Sequence, residues 1–200
     1  MIKREKPVRS YSGEKRRTNR TNKKYLSKDF GGRCAYCDDL DSINNGKNSY
    51  AVEHFAPKKR FPQLEFRYEN LLYSCPFCNS AKSSDWPSDD PTISVVGNCG
   101  YVDPCTDEYY SHLDRNDCTG EIYSKSELGE YMYIHLNLFL KRHAIIFMME
   151  KVQGKIEELN VYIKIKEENG QDTENEKILL KELKSTFYEY YCDFQIENNK

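Results

Sequence analysis

Four cysteines, one glutamate–histidine pair and one asparagine are the residues of this chain whose types and spacing could do chemistry. Cys34-Ala35-Tyr36-Cys37 and Cys75-Pro76-Phe77-Cys78 repeat a single pattern, two residues between two thiols. Such a turn aims both sulfurs at one ion, and two of them complete a tetrahedral zinc site with sulfur about 2.3 Å from the metal. The alternative, four ordinary buried cysteines, leaves the repeated spacing unexplained. Zinc held by four thiolates has no vacant position, so it acts as a staple and the reaction falls to other residues. Between the pairs runs Val52-Glu53-His54-Phe55-Ala56-Pro57-Lys58-Lys59, and Asn79 follows the last cysteine. A carboxylate and an amide oxygen are hard ligands suited to Mg²⁺ or Mn²⁺. An adjacent imidazole, with an unperturbed pKa near about 6.5, can take a proton from water at neutral pH. Together they supply what hydrolysis of a phosphodiester needs.

Each of these residues also has a plainer reading. His54 could be a satisfied structural histidine, and Asn79 could cap a helix through its side chain. Lys58, Lys59 and Arg60 form either a phosphate-binding loop or an ordinary solvated one. Cys99, Cys105 and Cys118 with His112 have irregular spacing, which favours free buried thiols over a second metal site. Cys192 is expected to pack between helices, and His135 and His143 to be structural. Trp86 and the sixteen tyrosines could stack on bases, though packing accounts for most of them.

The elements that must position these residues are partly legible. Tyr50–Phe55 alternates enough to be a short strand carrying Glu53 and His54, and Asn70–Ser74 reads as a second strand or its approach. A helix should begin within the second cysteine pair and run through Asn79 and Lys82, with Pro87 as its latest stop. Gly31-Gly32 breaks the chain before the first pair, and Asn45-Gly46 signals a turn. Asp85–Gly120 reads as irregular covering structure, and Gly120–Tyr123 as one more short strand. From about Tyr131, apolar residues recur at helical spacing from Leu136 to Leu159 and again from Ile178 to Tyr190. Asn169-Gly170 interrupts them, so two helices should form an antiparallel hairpin. Its apolar stripe is either core or a face for a partner.

Composition sets the outer bounds. Hydrophobic residues make up 38% and charged residues 31%, which fits a folded globular chain rather than a disordered one. The longest apolar run, Ala144–Met149, is too short to span a bilayer, and no secretory leader pattern opens the chain. Cysteines in metal spacing fit a reducing cytoplasm. Residues 1–28 hold eleven Lys or Arg against Glu5 and Glu14, a local balance of +9. They read as an extended basic arm, either for phosphate or merely solubilising. Residues 150–200 hold twelve acidic and eight basic residues, a balance of −4.

The ordered run Cys-x2-Cys, Glu-His-x2-Pro-Lys, Asn-Leu-Leu, Cys-x2-Cys-Asn-x2-Lys over residues 34–82 resembles the HNH nucleases. That resemblance implies an α+β fold: a small zinc-stapled ββα-metal module with irregular insertions and a C-terminal α-helical hairpin. The chain then divides into the basic arm 1–28, the nuclease module 29–90, the covering segment 91–130 and the helical region 131–200. It implies that His54 is the general base and that Glu53 and Asn79 hold the catalytic Mg²⁺ or Mn²⁺. Asn70 would orient the loop behind His54, and Cys34, Cys37, Cys75 and Cys78 would hold structural zinc. Lys58, Lys59, Arg60 and Lys82 would contact nucleic-acid phosphates. Stand-alone chains of this size that carry the motif include bacterial antiphage nucleases such as the Septu type, where the nuclease pairs with an ATPase. The acidic C-terminal helices are the expected docking surface for such a partner. The expected activity is endonucleolytic cleavage of nucleic acid, with DNA the first candidate substrate and RNA the second. The competing class is a zinc-dependent nucleic-acid-binding module without catalysis.

Overall fold

A computed structural model describes residues 2, 5–11, 18–44 and 46–198. Two compact units are present: one runs to Asp117 and resumes at Glu121–Leu140, and the other comprises Cys118–Gly120 and the chain from Lys141 onward.

The first unit begins with a segment the sequence reading placed in an extended arm. Asn19–Asp29 is instead a helix, α1. The Thr18 side chain accepts from Thr21 N at its start, supplying one of the hydrogen bonds an N-terminus lacks. Asn22, Leu26, Ser27 and Phe30 are all buried. Two of those four are polar, so hydrophobic periodicity gave no signal. Gly31 and Gly32 both adopt positive φ, which lets the chain reverse directly into the first cysteine pair. Ile2 is buried too, and Arg9 forms a paired contact with both carboxylate oxygens of Asp103 (2.8 and 3.2 Å) while donating to Leu71 O at 3.0 Å. Part of the basic head is therefore structural. Residues 1, 3, 4 and 12–17 of the arm lie outside the described residues, as does Asn45 of the expected Asn45-Gly46 turn.

The centre of the unit is β1 (Ala51–His54) paired antiparallel with β2 (Leu71–Ser74), Glu53 opposite Leu72 and His54 opposite Leu71. Helix α2 (Pro76–Lys82) follows at once, with Pro76 at its first position and the Cys75 sulfur as its N-terminal cap, accepting from Cys78 N. Asn79 lies inside this helix, so the capping alternative for its side chain does not hold. The helix ends well before Pro87, at Ser83, whose φ of 48° cannot continue it. The covering segment carries a two-residue ribbon, β3 (Val95–Val96) with β4 (Cys99–Gly100), then the short helix α3 (Tyr109–His112). A second ribbon pairs β5 (Leu113–Arg115) with β6 (Ile122–Ser124). Helix α4 (Glu127–His135) closes the unit, capped by Ser126 Oγ accepting from Gly129 N.

This core is rich in tyrosine. Tyr36, Tyr50, Tyr68, Tyr73, Tyr101 and Tyr109 are fully buried, and most spend their hydroxyl on a backbone carbonyl or carboxylate. That arrangement buries large apolar faces without stranding the polar end. Cys99 and Cys118 are exposed, against the expectation of buried thiols, and among the described residues they join no metal-ligating cluster.

The second unit holds two long helices, α5 (Lys141–Glu168) and α6 (Glu174–Asn198), forming the expected hairpin. Gly170, at φ 67°, makes the reversal. The expected stripe from Leu136 onward divides between units. Leu136, at the C-cap of α4, and Leu138 belong to the first unit's core, with Asn137 between them at φ 56° turning the chain off the α4 path. Of the hairpin's residues, Ile146, Met149, Val152, Ile163 and Phe194 are buried. His135 is exposed and stacks on Tyr131, whereas His143 is buried. Among the described residues no helix is long and apolar enough to cross a membrane.

Candidate metal centre and catalytic cleft

The four sulfurs of Cys34, Cys37, Cys75 and Cys78 all lie within 4.8 Å of one another, and all four residues are buried. Cys37 Sγ and Cys75 Sγ are 3.8 Å apart. Sulfurs about 2.3 Å from a tetrahedral centre are about 3.8 Å from each other, so the spacing suits zinc. Backbone N–H groups of Cys75 and Cys78 point at Cys34 Sγ (3.3 Å) and Cys75 Sγ (3.5 Å), stabilising negative charge on sulfur. Burial pushes the Cys37 and Cys78 thiols well above their usual range. Burial raises Cys34 as well, but hydrogen bonds from the three neighbouring thiols outweigh it and bring that thiol down. The chemistry of this donor set can hold a zinc ion. The first turn is braced by Ala35 N donating to Tyr73 O, and by Arg115 donating to Cys37 O.

The second pair, by opening α2, fixes where that helix lies beside β1. Between them is a cleft of about 360 Å³ lined by Glu53, His54, Lys58, Lys59, Asn79 and Ser83, among others. His54 Nε2 is 3.0 Å from Glu65 O. A carbonyl only accepts, so Nε2 carries the proton and Nδ1 keeps the lone pair. Burial lowers the His54 pKa below 6.5, more than the Glu65 carbonyl raises it. The ring is therefore neutral at pH 7. Asn70, at the end of the Tyr68–Asn70 turn, clasps the chain just after His54. Its Oδ1 accepts from Ala56 N at 2.8 Å, and its Nδ2 donates to Ala56 O at 3.0 Å.

Two of the basic residues expected at phosphates are engaged elsewhere. Lys82 is fully buried, with Nζ 3.0 Å from Glu53 Oε1 and 3.3 Å from His54 O. It cannot reach an incoming backbone. Arg60 donates to Trp86 O, Ser88 O and Asp89 Oδ1, which ties down the segment after α2. Lys58 pairs with Glu65 at 3.0 Å on the surface, and Lys59 is exposed on the cleft rim. Glu53 itself is buried, and burial raises its pKa despite the opposing pull of Lys82. Sequence reasoning missed Glu65, whose contribution is a backbone carbonyl and so carries no residue signature. Trp86 and the tyrosines were expected to stack on bases or to pack; Tyr101 and Trp86 instead place their rings 5.2 and 5.9 Å from the Lys82 ammonium, a role their positions in the sequence did not signal.

Fold and site thus define a mixed module of small antiparallel ribbons and helices, built round four cysteines that can hold zinc and carrying a C-terminal helical hairpin. No family model matches the chain, and no solved structure matches it. The chain is distantly similar to the Septu protein PtuA of Bacillus mycoides (strain KBAB4), 27% identical over 155 residues that cover 68% of this chain and 21% of that protein. It is also similar to the Septu protein PtuB of Bacillus thuringiensis, 34% identical over 70 residues that cover 33% of this chain and 26% of that protein. The matched stretches thus make up only about a fifth and a quarter of these relatives.

Proposed function

We propose that this chain is an HNH-type endonuclease that hydrolyses phosphodiester bonds, DNA in preference to RNA, as part of an antiphage defence system in the cytoplasm. The observation that carries this reading is the single cleft lined together by Glu53, His54 and Asn79, with lysines on its rim. Similarity to two Septu proteins supports the defence setting.

Glu53 and Asn79 offer hard oxygens to one cleft, and these are the residues that would hold Mg²⁺ or Mn²⁺. Such an ion supplies positive charge against the phosphate and the leaving oxygen. His54 takes the proton of the attacking water at Nδ1, while Nε2–H stays fixed on Glu65 O. Asn70 holds the Ala56 backbone and so sets the direction of the imidazole. Lys58 and Lys59 draw the nucleic-acid backbone to the rim; the Lys58–Glu65 pair is exposed enough to give way to a phosphate. An ATPase partner engaging the C-terminal helices completes the proposal, by analogy with the Septu type.

Plasmid cleavage with Mg²⁺ or Mn²⁺ tests it. The wild-type chain should cut, and His54→Ala should lose at least 100-fold in rate while keeping its melting temperature within a few degrees. Equal cutting by both proteins would falsify the assignment of His54. The second reading, a zinc-dependent nucleic-acid-binding module without catalysis, is favoured by one observation: Glu53 is already paired with Lys82. A crystal soaked in Mn²⁺ with an ion on Glu53 and Asn79 rules that reading out.

A further inference from the structure

We infer that Lys82 is a built-in counter-cation for Glu53, so that the catalytic ion and the nucleic-acid phosphate are taken up together rather than the ion first. This rests on reading Glu53 and Asn79 as the ligands of that ion.

Lys82 is the last residue of α2 and has no exposed surface. Its ammonium sits 3.0 Å from Glu53 Oε1 and 3.3 Å from His54 O, with the faces of Tyr101 and Trp86 closing the remaining sides. Those rings are themselves anchored: Tyr101 donates to Asp85 Oδ2 at 2.6 Å, and Trp86 Nε1 to Asp90 O at 3.0 Å. The ammonium therefore has no path to water, and leaving it buried without Glu53 would be costly. Glu53 is bound to remain beside it.

The charge seen by an entering ion follows. The cleft is lined by one carboxylate, Glu53, with the Lys82 ammonium directly behind it. On the rim Lys58 is paired with Glu65, and Lys59 adds a further positive charge, so the group as a whole is net positive. Asn79 adds a dipole but no charge. A lone dication meets a carboxylate whose charge is balanced and an ammonium close enough to repel it, at the low local dielectric of a buried group. A phosphodiester meets the opposite situation, a cleft with excess positive charge. Once the phosphate is seated, its charge adds to that of Glu53, and the combined site attracts a dication. The free protein then carries little divalent metal in this cleft, which suits a nuclease kept among host nucleic acid.

Manganese binding by the zinc-loaded full chain tests this, read by electron paramagnetic resonance of free Mn²⁺. All proteins carry His54→Ala so that a short DNA duplex survives. Mn²⁺ should bind at least tenfold more weakly without the duplex than with it. Adding Lys82→Gln, which keeps an N–H for Glu53 but removes the charge, should tighten duplex-free binding at least tenfold. Lys82→Arg, which keeps the charge, should leave it weak. If Lys82→Gln leaves duplex-free affinity unchanged while Asn79→Ala weakens binding with the duplex present, the metal site stands and the inference falls. If Asn79→Ala changes Mn²⁺ binding in neither condition, the reading of the cleft as a metal site fails. Should Lys82→Gln lose its zinc or its melting transition, the parent protein decides: low-micromolar Mn²⁺ affinity without the duplex overturns the inference.

Discussion

The cysteine cluster and the proposed catalytic cleft are interleaved in the sequence and follow opposite designs. The cysteine cluster is closed, buried and soft, with four like donors converging on one point. The Glu53–His54–Asn79 cleft is open and hard, with unlike donors, one of them tied to an internal cation. Cys78 and Asn79 are adjacent in one helix, so the first cluster positions part of the second. A small module with short strands gains rigidity from the closed site and can keep the other strained in charge and reachable by solvent. On the function proposed above, the closed site carries stability and the open cleft carries the chemistry.

The largest effect should come from breaking the closed cluster. Chelation of zinc, or Cys78→Ser, should abolish cooperative melting of the first unit, since structural zinc contributes on the order of 10 kcal/mol to such modules; circular dichroism against zinc content checks it. If melting persists after complete zinc removal, the contrast between the sites is wrong.

Next is Glu53→Gln, which leaves the Lys82 ammonium buried and uncompensated at a cost of about 3–5 kcal/mol. The double variant Glu53→Gln/Lys82→Met should recover much of that loss in denaturant melts. Here the contrast blurs in an informative way, because a residue of the open site also bears on folding. Asn70→Ala should cost about 2 kcal/mol through its lost contacts to Ala56, and roughly 100-fold in cleavage by freeing the segment that aims His54.

The smallest effect is on pH dependence. Burial lowers the His54 pKa below 6.5, so the unfolded chain takes up a proton that the folded one refuses as pH falls through that value. This group's contribution to stability is complete above pH 6.5 and declines below it until the folded ring also protonates. The cleavage rate should accordingly hold its plateau through pH 6.5 and fall only at more acid pH, as a pH–rate profile would register.

Legibility differed between regions for physical reasons. The strand carrying Glu53 and its partner Leu71–Ser74, the helix opening at Pro76 and the reversal at Gly170 were all readable, because each is set by local spacing, by proline or by glycine. Helix α1 was not, since its buried face uses Asn22 and Ser27 alongside Leu26 and Phe30, and hydrophobic periodicity is blind to such a face. The boundary at Lys141 was hidden for the opposite reason. Leu136 and Leu138 continue a helical apolar rhythm in sequence, yet a single left-handed residue, Asn137, directs them into a different core.

By itself, the sequence determined the inventory: a repeated two-residue spacing that brings four thiols to one point, and a glutamate, a histidine and an asparagine of the right chemical types near them. Spacing along a turn, a strand or one helix is a local property and survives without a fold. Which charges face the cleft was decided only in three dimensions. Lys82 and Arg60 have the same formal charge as Lys58 and Lys59, but the packing of Tyr101 and Trp86 encloses one, and the carbonyls of Trp86 and Ser88 hold the other. Burial and partnership are long-range properties, set by residues distant in the chain, and they convert a lysine that reads as a phosphate contact into the counter-ion of Glu53.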